Sequence, residues 1–261
     1  MADRDTSGLP AFAQWQAPAN WRSIDFISDL HLAENTPRTF EAFEAYLHGT
    51  PADAVVILGD LFEVWVGDDA RHAGFEARCA HVLADAASRC TVAFMAGNRD
   101  FLVGTDMLAA CGVTALADPT VLTAFGQRLL LSHGDALCLS DTAYQRFRAQ
   151  VRSSAWQRDF LAHPLPERRR TARDIRDESQ RRKQQAAAQW FDLDPAETLR
   201  WMHGAGTPLL IHGHTHMPAS HELAPGFVRH VLSDWDLDHA GAAPRAQVLR
   251  WQRSGLTRLA P

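Results

Sequence analysis

Seven side chains able to bind a metal fall in five short motifs, Asp29-Leu30-His31, Gly59-Asp60, Gly97-Asn98-Arg99-Asp100, His133-Gly134-Asp135 and Gly213-His214-Thr215-His216. They are Asp29, His31, Asp60, Asn98, His133, His214 and His216: two carboxylates, one amide and four imidazoles, with no thiolate. Such a mixture of oxygen and nitrogen donors suits borderline divalent metals such as manganese, iron or zinc. Seven donors are too many for one tetrahedral ion but serve two if a carboxylate bridges. Asp60, which stands alone between the two groups, is the natural bridge. One ion then takes Asp29, His31, Asp60 and His216, and the other takes Asp60, Asn98, His133 and His214. Two ions about 3.5–4 Å apart can hold a hydroxide and clamp phosphoryl oxygens during in-line attack. Each motif alone is weak, since a lone histidine is commonly a packed residue and Gly-Asp is frequent in turns. The order and placement of all five carry the inference.

Placement is the second requirement. Short β-rich runs at Ile24–Ser28, Ala54–Leu58, Thr91–Ala96, Arg128–Ser132, Leu209–His212 and Val228–Leu232 are nearly continuous in apolar residues, as expected of strands buried on both faces. All five motifs end or follow one of these runs. In open α/β sheets functional side chains gather beyond the carboxyl ends of strands, where distant loops converge, and glycines beside the ligands permit sharp turns and close approach. Between the runs lie helical patterns, Phe40, Phe43 and Leu47 in one and Phe75, Cys79, Val82 and Ala86 in another. Alternating strands and helices predict an α/β layered fold. Asp135 is placed either to support a ligand or to stabilise a turn, and Asp68 and Asp69 to cap a helix rather than to touch metal.

From Asp141 to His203 no strand is predicted. The stretch reads as helices separated at Pro164, Pro166 and Pro195. It holds 13 of the chain's 26 basic residues against 9 acidic ones, so it is net positive inside a chain of formal charge -5. Tyr144, Phe147, Trp156, Phe160, Trp190, Phe191 and Trp201 are interleaved with the arginines. The expected organisation is a core from 1–140 and 204–261 with 141–203 inserted as a helical cap. The overall acidity gives no reason to expect nucleic acid as a partner, and no protein partner is identifiable. Cys79, Cys90, Cys111 and Cys138 form no CxxC pair and read as reduced thiols. The N-terminus lacks the apolar region of a signal peptide, and nowhere do about 18 apolar residues run together. A soluble chain, at most resting on a membrane surface, is expected.

The five motifs in this order resemble the calcineurin-like metallophosphoesterase superfamily. More narrowly, Ala52-Asp53-Ala54 through Leu58-Gly59-Asp60-Leu61-Phe62-Glu63-Val64-Trp65-Val66-Gly67-Asp68-Asp69, then Gly97 to Leu102, then His133-Gly134-Asp135 with Leu137-Cys138 and Asp141 to Gln145, resemble the UDP-2,3-diacylglucosamine pyrophosphatases of lipid A synthesis. The resemblance runs from Ile24 to His221 and is looser in the insertion. It implies a layered β-sandwich core flanked by helices with a helical cap, the same assignment of residues to two ions, and manganese as the metal. It implies hydroxide attack at the α-phosphorus of UDP-2,3-diacylglucosamine, giving UMP and 2,3-diacylglucosamine 1-phosphate, with Asp60, Asn98, Arg99 and His133 as the catalytic residues. Substrate contacts are implied for Asn98, Arg99, Asp141, Tyr144, Arg176, Ser179 and His214, and Lys183 is added to them. The chain departs from the pattern there: Lys183 replaces an Asn, Ala186 a Lys, and Met217 a frequent Arg. Localisation is implied to be cytoplasmic, peripheral on the cytoplasmic face of the inner membrane.

Many phosphomonoesterases of the superfamily carry His where this chain has Arg99. A monoester releases an alkoxide, which benefits from a general acid near neutral pKa. Arg keeps its proton at any working pH but can neutralise phosphate oxygens bidentately. A site so equipped suits a leaving group that departs unaided, such as the phosphate of a pyrophosphate. The alternative for Arg99 is a simple ion pair with Asp100 or another carboxylate. Two other readings of the chain compete: hydrolysis of a different nucleotide-linked pyrophosphate, and a non-catalytic scaffold. The apolar residues of the insertion argue against the first, and the complete set of seven donors against the second.

Overall fold

The computed structural model describes residues 8–185, 191–239, 241 and 243–261, leaving aside the side chains of 178–180 and 182–185. Two six-stranded mixed sheets face each other. The first has the order β12 (Gly255–Leu259), β11 (Val248–Gln252), β2 (Ser23–Ile27), β3 (Ala54–Leu58), β4 (Thr91–Met95) and β5 (Thr114–Leu116). The second runs β1 (Ala13–Gln16), β6 (Thr120–Ala124), β7 (Gln127–Ser132), β8 (Leu209–His212), β10 (Phe227–Val231) and β9 (Ala219–Ala224). β2, β3, β4 and β5 are parallel, as are β7, β8 and β10. Loops leaving consecutive strands therefore emerge at the same end of each sheet.

Alternation along the strands builds three apolar layers. Ile24 and Phe26 of β2, Ala54, Val56 and Leu58 of β3, Leu129 and Leu131 of β7 and Ile211 of β8 fill the space between the sheets. The intervening residues Ile27, Val55, Ile57, Val92 and Phe94 face outward onto α1 (Pro37–Gly49), α2 (Gly74–Ala87) and α3 (Thr105–Ala110). Phe40, Phe43 and Leu47 on α1, and Cys79, Val82 and Ala86 on α2, are buried there as their helical spacing predicts. On the far face of the second sheet, Val121, Leu130 and Leu210 pack under Trp201 and Met202 of α7 (Pro195–Ala205). The six predicted strands are present within one residue at each end. β1, β5, β6, β9, β11 and β12 were not predicted; β1, β5, β9 and β12 are edge strands or carry few buried residues, so their pattern is faint.

The segment expected to be an insertion contains α4 (Thr142–Val151), α5 (Ser154–Leu161), α6 (Leu165–Gln185) and α7, and no strand among its described residues. Its described aromatic residues are largely committed to packing. Trp156 and Phe160 stack on each other with ring centroids 4.8 Å apart and pack on the core, Trp156 against Phe101. Trp201 is buried edge-on to Phe12. These rings anchor helices to the sandwich. No helix among the described residues is long and apolar enough to cross a membrane. All four cysteines are free.

One buried charge ties α1 to the first sheet. Asp25, fully buried on β2, receives Nε and Nη2 of Arg250 at 2.7 Å each from the adjacent strand, Tyr46 Oη at 2.8 Å from α1, and Thr50 Oγ1 at 2.9 Å. Removing one partner of such a cluster leaves the others desolvated and unpaired. Asp25→Ala is expected to destabilise the fold by about 3 kcal/mol or more, read from urea unfolding; a loss within about 0.5 kcal/mol would mean that the cluster is solvated.

Candidate metal centre

The ligand candidates come from both sheets. Asp29 and His31 follow β2, Asp60 follows β3 and Asn98 follows β4, all in the first sheet; His133 follows β7, and His214 and His216 follow β8, in the second. The loops interlock through their backbones. The N–H of Asp29 donates to Gly59 O at 3.1 Å, that of His31 to Asp60 O at 3.0 Å, and that of Gly213 to His133 O at 3.0 Å. The amide of His214 crosses from one sheet to the other to reach Asp29 Oδ2 at 2.9 Å.

Turning so many side chains inward strains the chain. Asp29, His31, Asp60, His214 and His216 have φ between 49° and 66°, and the only other described non-glycine residue with positive φ is Phe125. Left-handed backbone costs an L-residue roughly 1–2 kcal/mol, and clustering of such residues marks a functional site. Close approach adds a second requirement. A Cβ on Gly97 would collide with the carboxylate and amide of Asp60, and one on Gly213 would collide with Asp29 and Ser28.

All seven predicted donors are brought together. His216 Nε2 lies 3.3 Å from Asp29 Oδ1 and 3.3 Å from His31 Nε2. His133 Nε2 lies 3.7 Å from Asp60 Oδ1 and 2.9 Å from Asn98 Oδ1, which is also 2.8 Å from His214 Nδ1. Asp29, His31 and His216 form one group able to hold an ion, and Asp29, Asp60 and His133 another. Asp29 thus faces both groups, a position that the sequence reading gave to Asp60 alone.

The donor chemistry fits divalent cations. His133 Nδ1 faces the carbonyl of Leu58 at 2.8 Å. A carbonyl only accepts, so Nδ1 holds the proton and the lone pair of Nε2 points at Asn98 Oδ1, itself an acceptor. His31 Nδ1 lies 3.2 Å from Glu63 Oε2 and His216 Nδ1 3.8 Å from Asp234 Oδ2, while the Nε2 atoms of the two rings approach to 3.3 Å. Facing acceptors require a proton or a cation between them. The electrostatics make the same demand. Burial alone would lower His133, but Asp60, Asp29 and Asp135 outweigh it and raise the imidazole to about 9. Burial would raise Asp29, yet His216, His133 and His31 hold it well below the carboxylate range. His214 is pushed down to about 3 by burial and by His133.

Several acidic residues around the centre have definite partners. Asp100 is fully buried and accepts four backbone amides, Gly97 and Asp60 on Oδ1 at 2.8 and 3.3 Å, Leu61 and Phe62 on Oδ2 at 2.8 and 3.3 Å. Burial and Asp60 push it up to about 7, against the backbone amides, which favour the carboxylate. Arg99 therefore does not pair with Asp100. Its Nη1 engages Glu63 at 3.1 Å, while its amide donates to Asp60 Oδ1 at 2.8 Å. Asp135, fully buried, accepts Tyr144 Oη and, at 2.7 Å, Arg148 Nε, so it fastens α4 beside His133. Asp68 caps α3 through the amides of Gly104 and Met107, and Asp69 pairs with Arg168 of α6.

The proposed substrate contacts are partly committed to protein. Asp141 caps α4 through the amide of Tyr144 at 2.9 Å, the ring of Tyr144 lies 6.1 Å from that of His214, and Arg176 Nε reaches Glu63 Oε1 at 3.0 Å. Ser179 and Lys183 lie on α6, but their side chains fall outside the described residues, as does Ala186. Met217 is exposed beside His216. Glu63 and Asp100 were not singled out from the sequence; each follows a ligand by two or three residues, which is the only local signal they give.

Residues 22–218 match the calcineurin-like phosphoesterase family. Curated relatives include the UDP-2,3-diacylglucosamine hydrolase of Ralstonia nicotianae, 46% identical over 90% of this chain and 91% of that protein. The proteins of the same name from Bordetella pertussis and Chromobacterium violaceum are 42% and 46% identical over 88% and 82% of this chain and 91% and 90% of theirs.

The four amides gathered on Asp100 set the spacing between the Asp60 and Asn98 loops. Each orphaned buried amide costs about 1–3 kcal/mol, so Asp100→Ala is expected to lose upward of about 3 kcal/mol in urea unfolding. Asp100→Asn, which keeps one accepting oxygen, should fall between that variant and wild type. Equal stability of all three proteins would contradict this role.

Proposed function

The chain belongs to the calcineurin-like phosphoesterase family, and from that premise we propose that it hydrolyses the pyrophosphate of UDP-2,3-diacylglucosamine, releasing UMP and 2,3-diacylglucosamine 1-phosphate. The observation that carries the reading is the convergence of all seven donors at one end of the sandwich beside Arg99 and Arg176, in a chain resembling curated hydrolases of that name along most of its length. Asp29, His31, Asp60 and His216 would hold one divalent ion, and Asp60, Asn98, His133 and His214 the other, with Asp29 also facing the second group and manganese the expected metal. When bound, such ions activate water and neutralise phosphoryl oxygens.

The protein's own groups account for the choice of bond. Only Nη1 of Arg99 is engaged among the described residues, which leaves the other face of its guanidinium for an anion. Arg99 can neutralise charge on the pyrophosphate but cannot protonate a departing alkoxide. Helices α4, α5 and α6 are proposed to cover the lipid end. Since Trp156 and Phe160 are spent on packing, the acyl contacts fall to exposed aliphatic residues adjoining the site in the chain: Val64 beside Glu63, Ile175 beside Arg176 and Met217 beside His216. The arginines of the cap would also draw it to an anionic membrane surface, each contributing about 1 kcal/mol near the lipid. This is the basis for placing the protein peripherally on the cytoplasmic face of the inner membrane.

Stripping divalent metal is expected to abolish release of UMP from UDP-2,3-diacylglucosamine, and added manganese to restore it. Asp60→Ala should not be restored; near wild-type turnover by either the stripped protein or this variant would overturn the metal assignment. Arg99→Ala is expected to lose about 1.5–3 kcal/mol of transition-state binding in kcat/KM, and wild type to hydrolyse alkyl phosphate monoesters poorly. Monoester turnover matching that of the UDP-lipid would defeat the leaving-group argument. Stepwise shortening of the acyl chains should lower kcat/KM, and binding to anionic liposomes should weaken as salt rises. Equal rates on acylated and deacylated substrate would remove the lipid from the proposal.

A further inference from the structure

Glu63 lies between three parts of the molecule that the sequence keeps far apart. Its Oε2 faces Nδ1 of His31, a ligand candidate on the β2 loop, at 3.2 Å. Its Oε1 is shared by Nη1 of Arg99 on the β4 loop, at 3.1 Å, and Nε of Arg176 on α6, at 3.0 Å. The carboxylate is only 12% exposed, so these contacts are poorly screened. The backbone fixes it as well, because the amide of Glu63 donates to Leu32 O at 3.1 Å, one residue beyond His31.

Each contact has a separate consequence. A negative carboxylate facing Nδ1 of His31 favours a proton on that nitrogen and so leaves Nε2 as the donor atom facing His216 and Asp29. The contact is bent away from ideal hydrogen-bond geometry, yet Glu63 is the acidic group that faces this nitrogen. Two guanidinium groups brought to one oxygen repel each other, and the intervening negative charge is what allows them to be held side by side before any anion arrives. Both then keep N–H donors directed away from Glu63. Arg176 also joins α6 to the core at the metal centre. Other ties of α6 among the described residues, Arg168 to Asp69 and Val66 O and Arg169 to Glu76, lie toward its N-terminus and touch no ligand candidate.

We propose that Glu63 is a positioning residue that couples the orientation of the metal ligand His31 to the placement of an arginine pair, Arg99 with Arg176, built to receive the phosphates of the substrate. Substrate recognition by the cap and metal binding by the core are thereby linked through one carboxylate. The arginine half of this statement rests on the proposed pyrophosphatase reading; the His31 half does not.

The test separates the two. Metal-stripped wild type, Glu63→Gln and Glu76→Gln are titrated with manganese by calorimetry. Glu76→Gln serves as control because it removes a tie between α6 and the core remote from the ligands. The expected result is a 10–100-fold weaker site in Glu63→Gln, the range typical for loss of a group that orients a metal ligand, and an unchanged isotherm in Glu76→Gln. In the second arm KM for UDP-2,3-diacylglucosamine is measured for Arg176→Ala in the wild-type and Glu63→Gln backgrounds. Coupling predicts that the increase in KM caused by Arg176→Ala is several-fold smaller when Glu63 is already Gln. If Glu63→Gln folds poorly by circular dichroism, Glu63→Asp, which keeps the charge but shortens the reach, is expected to weaken the same site. A manganese isotherm of the folded variant identical to wild type, or weakened equally in Glu76→Gln, overturns the His31 half. Additive effects of the two substitutions on KM overturn the arginine half. Failure of wild type to cleave the UDP-lipid would refute the proposed function, while the calorimetry still decides the role of Glu63 toward His31.

Discussion

Four backbone amides converge on the carboxylate of Asp100, and the geometry of the metal centre follows from that convergence. Gly97 and Asp60 donate to one oxygen, Leu61 and Phe62 to the other, so the turn after β3 and the turn after β4 are held at a fixed separation. Asp60 is thereby pressed against Gly97, where nothing larger than hydrogen fits. Arg99 then returns an amide to Asp60, and Glu63, three residues beyond Asp60, is carried to a point between His31 and the cap. A buried carboxylate costs free energy unless its lone pairs are filled, and here backbone donors fill them. Side chains are thus left free for ligands and substrate.

Charge is arranged in shells around this anchor. The innermost shell places carboxylates against imidazoles, and the imbalance drives His133 upward and Asp29 downward in pKa. The next contains Asp135, Glu63 and Asp69, each meeting an arginine of α4 or α6, Arg148, Arg176 and Arg168 respectively. Burial would raise Glu63, but His31, Arg99 and Arg176 bring it down to about 2, so it remains an anion throughout the physiological range. The positive balance of residues 141–203 is therefore partly used in docking α4 and α6.

The sequence made the donors legible because each closes a strand, and strands buried on both faces announce themselves as apolar runs. Ala54–Leu58 followed by Gly59-Asp60 is the plainest case. β9, with its exposed Ser220, His221 and Glu222, carries no such run and was missed. The roles of Glu63 and Asp100 were hidden for another reason. Apart from the nearby Gly97 amide, their partners lie roughly 30 to 115 residues away, and no local spacing encodes which carboxylate an arginine will meet. For Arg99 a pair with Asp100 or another carboxylate stood open, and the turn aims the guanidinium at Glu63, which no local spacing singles out. The aromatic residues of 141–203 were legible as apolar groups among arginines but not as to what they pack against, and packing gave Trp156 and Trp201 to the sandwich.

Because the first sheet supplies Asp29, His31, Asp60 and Asn98 and the second supplies His133, His214 and His216, any ion seated among them acts as a rivet across the sandwich. Such a rivet favours the folded chain by mass action, by about 2.7 kcal/mol for each independent site when free metal stands at a hundred times its dissociation constant. Scarcity of the metal then acts twice, first by silencing chemistry and then by loosening the seam between the sheets. The population open to proteases would rise as the free ion falls, so the abundance of the protein, and not only its activity, is tied to the metal supply of the cell.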